Sequence, residues 1–242
     1  MTVVAIIQAR MGSTRLPGKV LMELAGQPML ARVVNKVGRA ETIDRLVVAT
    51  SVLPVDDVIA TFCEHYNQPC FRGSEDDVLD RYYQAAVMYQ ADVVIRITAD
   101  CPLIEPQVID HAVQVFKKAQ PTVDYVANTL PPRTFPRGLD VEVMRFDVLA
   151  HAWHDDTNPA WREHVTPFIY RHPELFNLQP VINSINYAGL RWTVDTPEDL
   201  AFVRRVYDHF GHDQFTWQEV LAVLEGHPDW QEINRGIEQK AV

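Results

Sequence analysis

The chain has 242 residues, enough to bury a sizeable core in one large α/β domain or two small ones. Its 22 basic and 32 acidic residues leave a formal net charge of -10, which argues against a nucleic-acid backbone as partner but leaves room for a small anion held by local cations. No apolar run is long enough to span a bilayer, no basic leader precedes the first one, and Cys63, Cys70 and Cys101 lack CxxC spacing, so a cytoplasmic protein with free thiols and no membrane partner is expected.

Residues 3–7 are a short β-branched run and predict a buried strand. It leads into Gln8-Ala9-Arg10-Met11-Gly12-Ser13-Thr14-Arg15-Leu16-Pro17-Gly18-Lys19. Glycines let such a loop fold tightly and present N–H groups, and the cations Arg10, Arg15 and Lys19 suit a polyphosphate. The loop is not a P-loop: five residues, not four, lie between Gly12 and Gly18, and Val20 follows Lys19. A helix opening at Pro28, a strand at 46–50, a helix at 55–66 and a short strand near 70–71 come next. Ser74 reads as the cap of the following helix, with Asp77 in a box-like position. A central strand at 93–97 delivers Asp100 just before Pro102, and a helix follows at 108–118. This alternation predicts βαβ units and a parallel sheet, with the loop at 9–19, the turn at 72–76 and Asp100 at one edge.

Beyond residue 120 the pattern changes. A strand is expected at 123–127, then an irregular stretch with three prolines at 130–138. Residues 139–143 alternate apolar and acidic side chains, as a strand with one wet face does. Helices are expected at 147–152 and 160–171, and strands at 182–185 and 190–194. Thr196 or Asp195 caps a helix with Pro197 at its first position, running to about 209. A helix at 217–224 and a frayed tail close the chain. The expectation is one domain over 1–242, with an insert-like region at about 121–172 that serves substrate binding and dimerisation.

Asp100 and Asp195 each follow an apolar run and precede a proline, and oxygen-only carboxylates suit Mg²⁺ or Mn²⁺ beside substrate phosphates. The competing reading of Asp195 is a helix cap. Arg133, Arg137, Arg162 and His164 suit a substrate carboxylate.

The stretch from Ile7 to Leu21 resembles the opening of the spore coat polysaccharide biosynthesis protein F family, grouped with the cytidylyltransferases that make CMP-KDO and CMP-sialic acid. The resemblance reaches to about residue 210. It implies an α/β fold with a mostly parallel central sheet of the nucleotide-diphosphosugar transferase (GT-A, Rossmann-like) type, and transfer of CMP from CTP to a sugar acid. It implies nucleotide binding by Gln8, Ala9, Arg10, Gly12, Ser13, Arg15 and Lys19, with Gly73, Ser74 and Asp77 at the base and ribose. It further implies metal binding by Asp100 and Asp195, catalysis by these two with Arg10 and Lys19, and sugar contacts by Asp140 and Glu142. A homodimer is expected. Met11-Gly12 and Ile97-Thr98-Ala99-Asp100-Cys101 depart from the CMP-KDO and CMP-sialic acid synthetases, so the sugar stays open. A glycosyltransferase of the same fold and a non-catalytic nucleotide-binding protein are the alternatives.

Overall fold

The strand Val3–Gln8 (β1) is buried on both faces as far as Ile7, which only a sheet covered on both sides allows. The computed structural model describes residues 1–239. After β1 come a small ribbon, Glu23–Leu24 (β2) with Gln27–Pro28 (β3), and helix Met29–Val37 (α1). Arg45–Ser51 (β4), Asp57–His65 (α2), Cys70–Gly73 (β5), Val78–Met88 (α3), Val93–Thr98 (β6) and Pro106–Lys118 (α4) continue the alternation. Tyr125–Ala127 (β7), Glu142–Arg145 (β8), Phe146–Asp155 (α5), Pro159–His164 (α6), Pro167–Arg171 (α7) and Leu178–Pro180 (β9) follow. The chain then forms Pro197–Phe210 (α8), Trp217–Gly226 (α9) and Pro228–Glu232 (α10).

The main sheet has the order β5-β4-β1-β6-β8-β7-β9. Six strands run one way and β8 runs against them, so the sheet is mostly parallel, the nucleotidyltransferase fold expected. Side chains alternate across it. Val3, Ala5 and Ile7 pack with the apolar faces of α1, α2, α4, α8 and α9. Val4 and Ile6 pack with α3, α5 and α7. No helix among the described residues is long and apolar enough to cross a membrane.

Several boundaries differ from the sequence reading, each for a physical reason. Asp77, not Ser74, caps α3: its side chain accepts from Asp80 N, while Ser74 Oγ accepts from Asp77 N one turn earlier. The strand expected at 139–143 begins only at Glu142. The buried Asn128 side chain takes Leu139 O (2.6 Å) and Val141 N (2.9 Å), so the ladder cannot start sooner. The helix expected at 160–171 is two helices, broken at Val165 (φ 71) before Pro167, which has no N–H to continue the first. Residues 182–185 form no strand; β9 lies just upstream and pairs with β7. Residues 190–194 make one bridge, Arg191 to Arg137, in place of a strand. The tail expected to fray instead carries α10 and the buried Asn234.

Lys36 on α1 is fully buried, with Nζ donating to Phe215 O at 2.9 Å and lying 4.1 Å from that ring's centroid. Burial pushes its pKa from 10.5 down to about 8, against the pull of Glu105. The unfolded chain therefore holds more protons than the folded one between those values, so this lysine's penalty is present below about pH 8 and fades as pH rises through the window. Urea titrations at pH 7.5 and pH 10.5 should show wild type gaining on the order of 3 kcal/mol relative to Lys36→Met over that range. Parallel pH profiles for the two proteins would rule out the shifted lysine.

Candidate active site

The carboxyl ends of β1 and β6 open into a cavity of about 540 Å³. Its walls include Gln8, Ala9, Arg10, Ser13, Arg15, Lys19, Arg96, Asp100, Arg137, Asp140, Glu142, His164 and Asp195. The loop after β1 is shaped by Gly18, whose φ of 71 starts a short 3₁₀ turn at Lys19–Leu21. Its base is pinned by the buried Asp56, which accepts from Met11 N at 2.7 Å and from Ser51 Oγ.

Lys19 is the centre of the site. Its side chain is buried, and Nζ donates to Asp100 Oδ2 (2.9 Å), Asp195 Oδ1 (2.8 Å) and Val194 O (2.7 Å). Burial alone would discharge it, yet Asp100 and Asp195 hold its pKa above 10.5. Burial likewise opposes the Asp100 carboxylate, but Lys19 and a 2.6 Å hydrogen bond from Thr98 Oγ1 override it and hold the pKa down at about 2. Asp195 Oδ2 also meets Arg15 (2.9 Å) and Arg191 (3.0 Å).

The two aspartates do not meet as ends of two strands. Asp100 follows β6, but Asp195 follows an irregular segment docked by Val194 N donating to Asp100 O at 2.8 Å. That segment also lies against Arg137: Arg137 N donates to Leu190 O (2.9 Å) and Trp192 N to Arg137 O (2.7 Å). Gly138 permits the approach, because a Cβ there would sit 2.5 Å from Thr193 N. Helix α8 is capped by Thr196 in a capping box with Asp199, so the Asp195 carboxylate is free of capping.

Other expected residues are distributed unevenly. Arg10 is paired with Glu75 (3.3 Å) and Glu163 (2.9 Å). Gly12, Gly73, Ser74 and Asp77 lie off the cavity wall, and Asp77 pairs with Arg162 at 2.8 Å. Arg162 also donates to Trp153 O and Asp156 O, so it braces α5 and α6. Arg133 is off the wall as well, donating to Asp140 and to Phe135 O and Pro136 O. Arg137 faces the cavity and makes no side-chain hydrogen bond or ion pair among the described residues. His164 is half-buried, and desolvation lowers its pKa below 6.5, so its imidazole is neutral at pH 7. Glu142 has no wet face: it is buried against Arg96 (2.6 Å) and Tyr125 Oη (2.9 Å). A second cavity, about 580 Å³, lies between α8 and the C-terminal segment and contains neither Asp100 nor Asp195. It is slightly larger, but the charged groups that could do chemistry on a phosphate are gathered in the first.

The Cytidylyltransferase family model matches residues 4–221. The chain belongs to this family. Spore coat polysaccharide biosynthesis protein SpsF of Bacillus subtilis is 32% identical over 232 residues, which cover 93% of this chain and 94% of that protein. A 3-deoxy-manno-octulosonate cytidylyltransferase of Trichlorobacter lovleyi is 38% identical over 118 residues, 48% of this chain and 45% of its own. Among solved structures, a cytidylyltransferase from Leptospira borgpetersenii superposes over the whole of both chains with a TM-score of 0.92 at 29% identity.

This cytidylyltransferase is a nucleotidyltransferase, and CTP is the nucleotide its family handles. No cluster of three or more His, Cys, Asp or Glu side chains among the described residues is arranged for a metal, and the Asp100 and Asp195 carboxylates expected as ligands are joined through Lys19 Nζ. Two oxygen-only ligands leave positions for substrate phosphates, as Mg²⁺ prefers. Residues that the sequence reading passed over include Arg96, Arg191 and Asn234. Arg96 had a signal, since a lone charge inside an apolar strand needs a buried partner. Asn234 had none, because its partners lie 35 and 43 residues away.

Lys19 is thus more than a loop cation, and removing it leaves two carboxylates facing each other. Lys19→Met should lower stability by about 3 kcal/mol in urea titrations at pH 7.5. A loss below about 1 kcal/mol would mean that solvent, not Lys19, balances the pair.

Proposed function

We propose that this cytidylyltransferase transfers CMP from CTP to the hydroxyl of a small sugar acid and releases pyrophosphate, in polysaccharide or glycan biosynthesis. The observation that carries the reading is the Lys19 ammonium joining Asp100 and Asp195 on the wall of a polar cavity, with Arg15 beside them. The acceptor oxygen attacks the α-phosphorus, and the bond from that phosphorus to the β-phosphate oxygen breaks. Catalysis then comes from positioning and charge neutralisation. Lys19 orients both carboxylates. Arg15, half-buried beside Asp195, binds phosphate oxygens, and Arg10 does so once drawn from Glu75 and Glu163. Asp100 and Asp195 would hold Mg²⁺ or Mn²⁺, whose chemistry there is to neutralise charge growing on the phosphates. Arg137, with no acidic partner, and the neutral His164 suit the acceptor's carboxylate and hydroxyls, with Asp140 nearby on the wall. The name of the spore coat relative supports a role in polysaccharide biosynthesis, and that of the 3-deoxy-manno-octulosonate cytidylyltransferase supports a sugar acid as acceptor.

The test is pyrophosphate release from CTP, UTP, ATP and GTP across a panel of sugar acids. CTP with at least one sugar acid should give turnover; sugar transfer from a nucleotide sugar without pyrophosphate would replace this reading with a glycosyltransferase. Within it, Arg15→Ala should raise KM for CTP about tenfold, the loss of one charge-assisted contact. Asp100→Asn and Asp195→Asn should each lower kcat by about a hundredfold, and the double variant should be little worse. Full activity of Asp195→Asn at limiting Mg²⁺ would remove Asp195 from the metal site.

The homodimer is part of the same proposal, on ground other than the proline-rich arm. Apart from the exposed Pro131 and Pro132, most of that stretch at 130–143 is buried in its own domain, with Phe135 tilted against Trp217 at 5.8 Å. Support comes instead from Leu175, Ile182 and Ile185, exposed on either side of the edge strand β9. Light scattering at micromolar concentration should give about twice 27.6 kDa, and a mass near 27.6 kDa would refute it.

A further inference from the structure

We infer that the C-terminal segment, through Asn234, is a positioning element for Asp195. The inference rests on the reading of Asp195 as a metal ligand. Asp195 Oδ2 is held by Arg191 Nη2 at 3.0 Å, and Arg191 is itself gripped on three sides. Its Nε and Nη2 donate to the two oxygens of Asp199 at 2.8 and 2.9 Å, and its Nη1 donates to Gln239 Oε1 at 2.7 Å. The fully buried Asp199 also accepts from the backbone N–H groups of Asp195 (3.0 Å) and Thr196 (3.1 Å). Asn234 closes this chain from outside it. Its Nδ2 donates to Asp199 Oδ1 and to Arg191 O, each at 2.9 Å, and the residue is 4% exposed.

The consequence follows from the count of donors. Asp199 Oδ1 takes Arg191 Nε and Asn234 Nδ2, while Oδ2 takes Arg191 Nη2 and two backbone groups. Removing Asn234 leaves the buried Arg191 carbonyl without that donor and takes one of the two donors from Asp199 Oδ1, which loosens the carboxylate that holds the guanidinium. The carboxylate it aims is Asp195. Partners that orient a metal ligand change affinity by about 10–100-fold when lost. The tail therefore acts on Asp195 through Arg191 and Asp199, while Gln239 itself reaches the cavity wall, so the site is complete only with the tail docked.

The experiment uses the full chain with CTP and Mn²⁺ and no acceptor, with bound Mn²⁺ read by electron paramagnetic resonance, and steady-state kinetics in parallel. Asn234→Ala should weaken Mn²⁺ binding about tenfold and lower kcat, while KM for CTP stays within about a factor of two. Thr216→Ala is the comparison, because it removes the cap of α9 in the same region without entering the Arg191–Asp199–Asn234 chain. It should lose stability and keep its Mn²⁺ affinity. Gln239→Ala, at an exposed position where folding is not at risk, should weaken Mn²⁺ binding about threefold in the same direction. Wild-type affinity in Asn234→Ala, or equal losses in Asn234→Ala and Thr216→Ala, would overturn the positioning role alone. Wild-type protein that binds no Mn²⁺ with CTP would overturn the metal role of Asp195 and the positioning role with it.

Discussion

One ammonium group, Lys19 Nζ, sits within hydrogen-bond distance of two carboxylates and a carbonyl, and the geometry of the site depends on it. Two acidic groups side by side in a buried place repel each other unless a cation lies between them. Lys19 comes from the loop after β1, Asp100 from the end of β6, and Asp195 from the approach to α8, so one residue fastens three distant parts of the chain. The backbone shares the task through Val194 N and Asp100 O, and Gly138 makes it sterically possible by offering no Cβ.

From this centre, charges alternate outward in ordered partnership. Arg15 and Arg191 flank Asp195, Asp199 backs Arg191, and Asn234 backs Asp199. Such a chain is costly to desolvate but holds each member in one orientation once every donor is used. On the other wall the arrangement is looser. Arg10 lies between Glu75 and Glu163, and all three are partly exposed, which leaves it able to exchange carboxylates for phosphate. The tight half suits ligands that must stay still, and the loose half suits a substrate that must enter and leave.

The parallel half of the sheet was legible because its strands are short β-branched runs separated by amphipathic helices, a pattern set by burial and periodicity alone. The loop at 9–19 was legible as a tight polar turn for a similar reason: its glycines are local features, and Gly18 opens the 3₁₀ turn at Lys19–Leu21. Beyond residue 120 the reading slipped at each place where a side chain replaced a backbone partner. Asn128 delayed β8, and Thr134 Oγ1 took Asn183 N where a strand was expected. The stretch Ile182-Asn183-Ser184-Ile185 reads as a strand in sequence, yet with its Asn183 N–H given to a side chain it joins no ladder, and both isoleucines stay exposed.

The amino-acid sequence by itself determined the fold class and the alternation of strands and helices as far as residue 118, because burial patterns and residue types act over a few positions. Only the tertiary structure decided which charges pair. Lys19 proved to be buried between the aspartates, Arg133 and Arg162 turned to acidic and carbonyl partners, the Arg137 side chain found none among the described residues, and Asn234 reached back to Asp199. Ion pairs and side-chain hydrogen bonds form between residues that are near in space, and spacing along the chain carries no record of that when the partners stand as far apart as Asn234 and Asp199 (35 positions) or Lys19 and Asp195 (176).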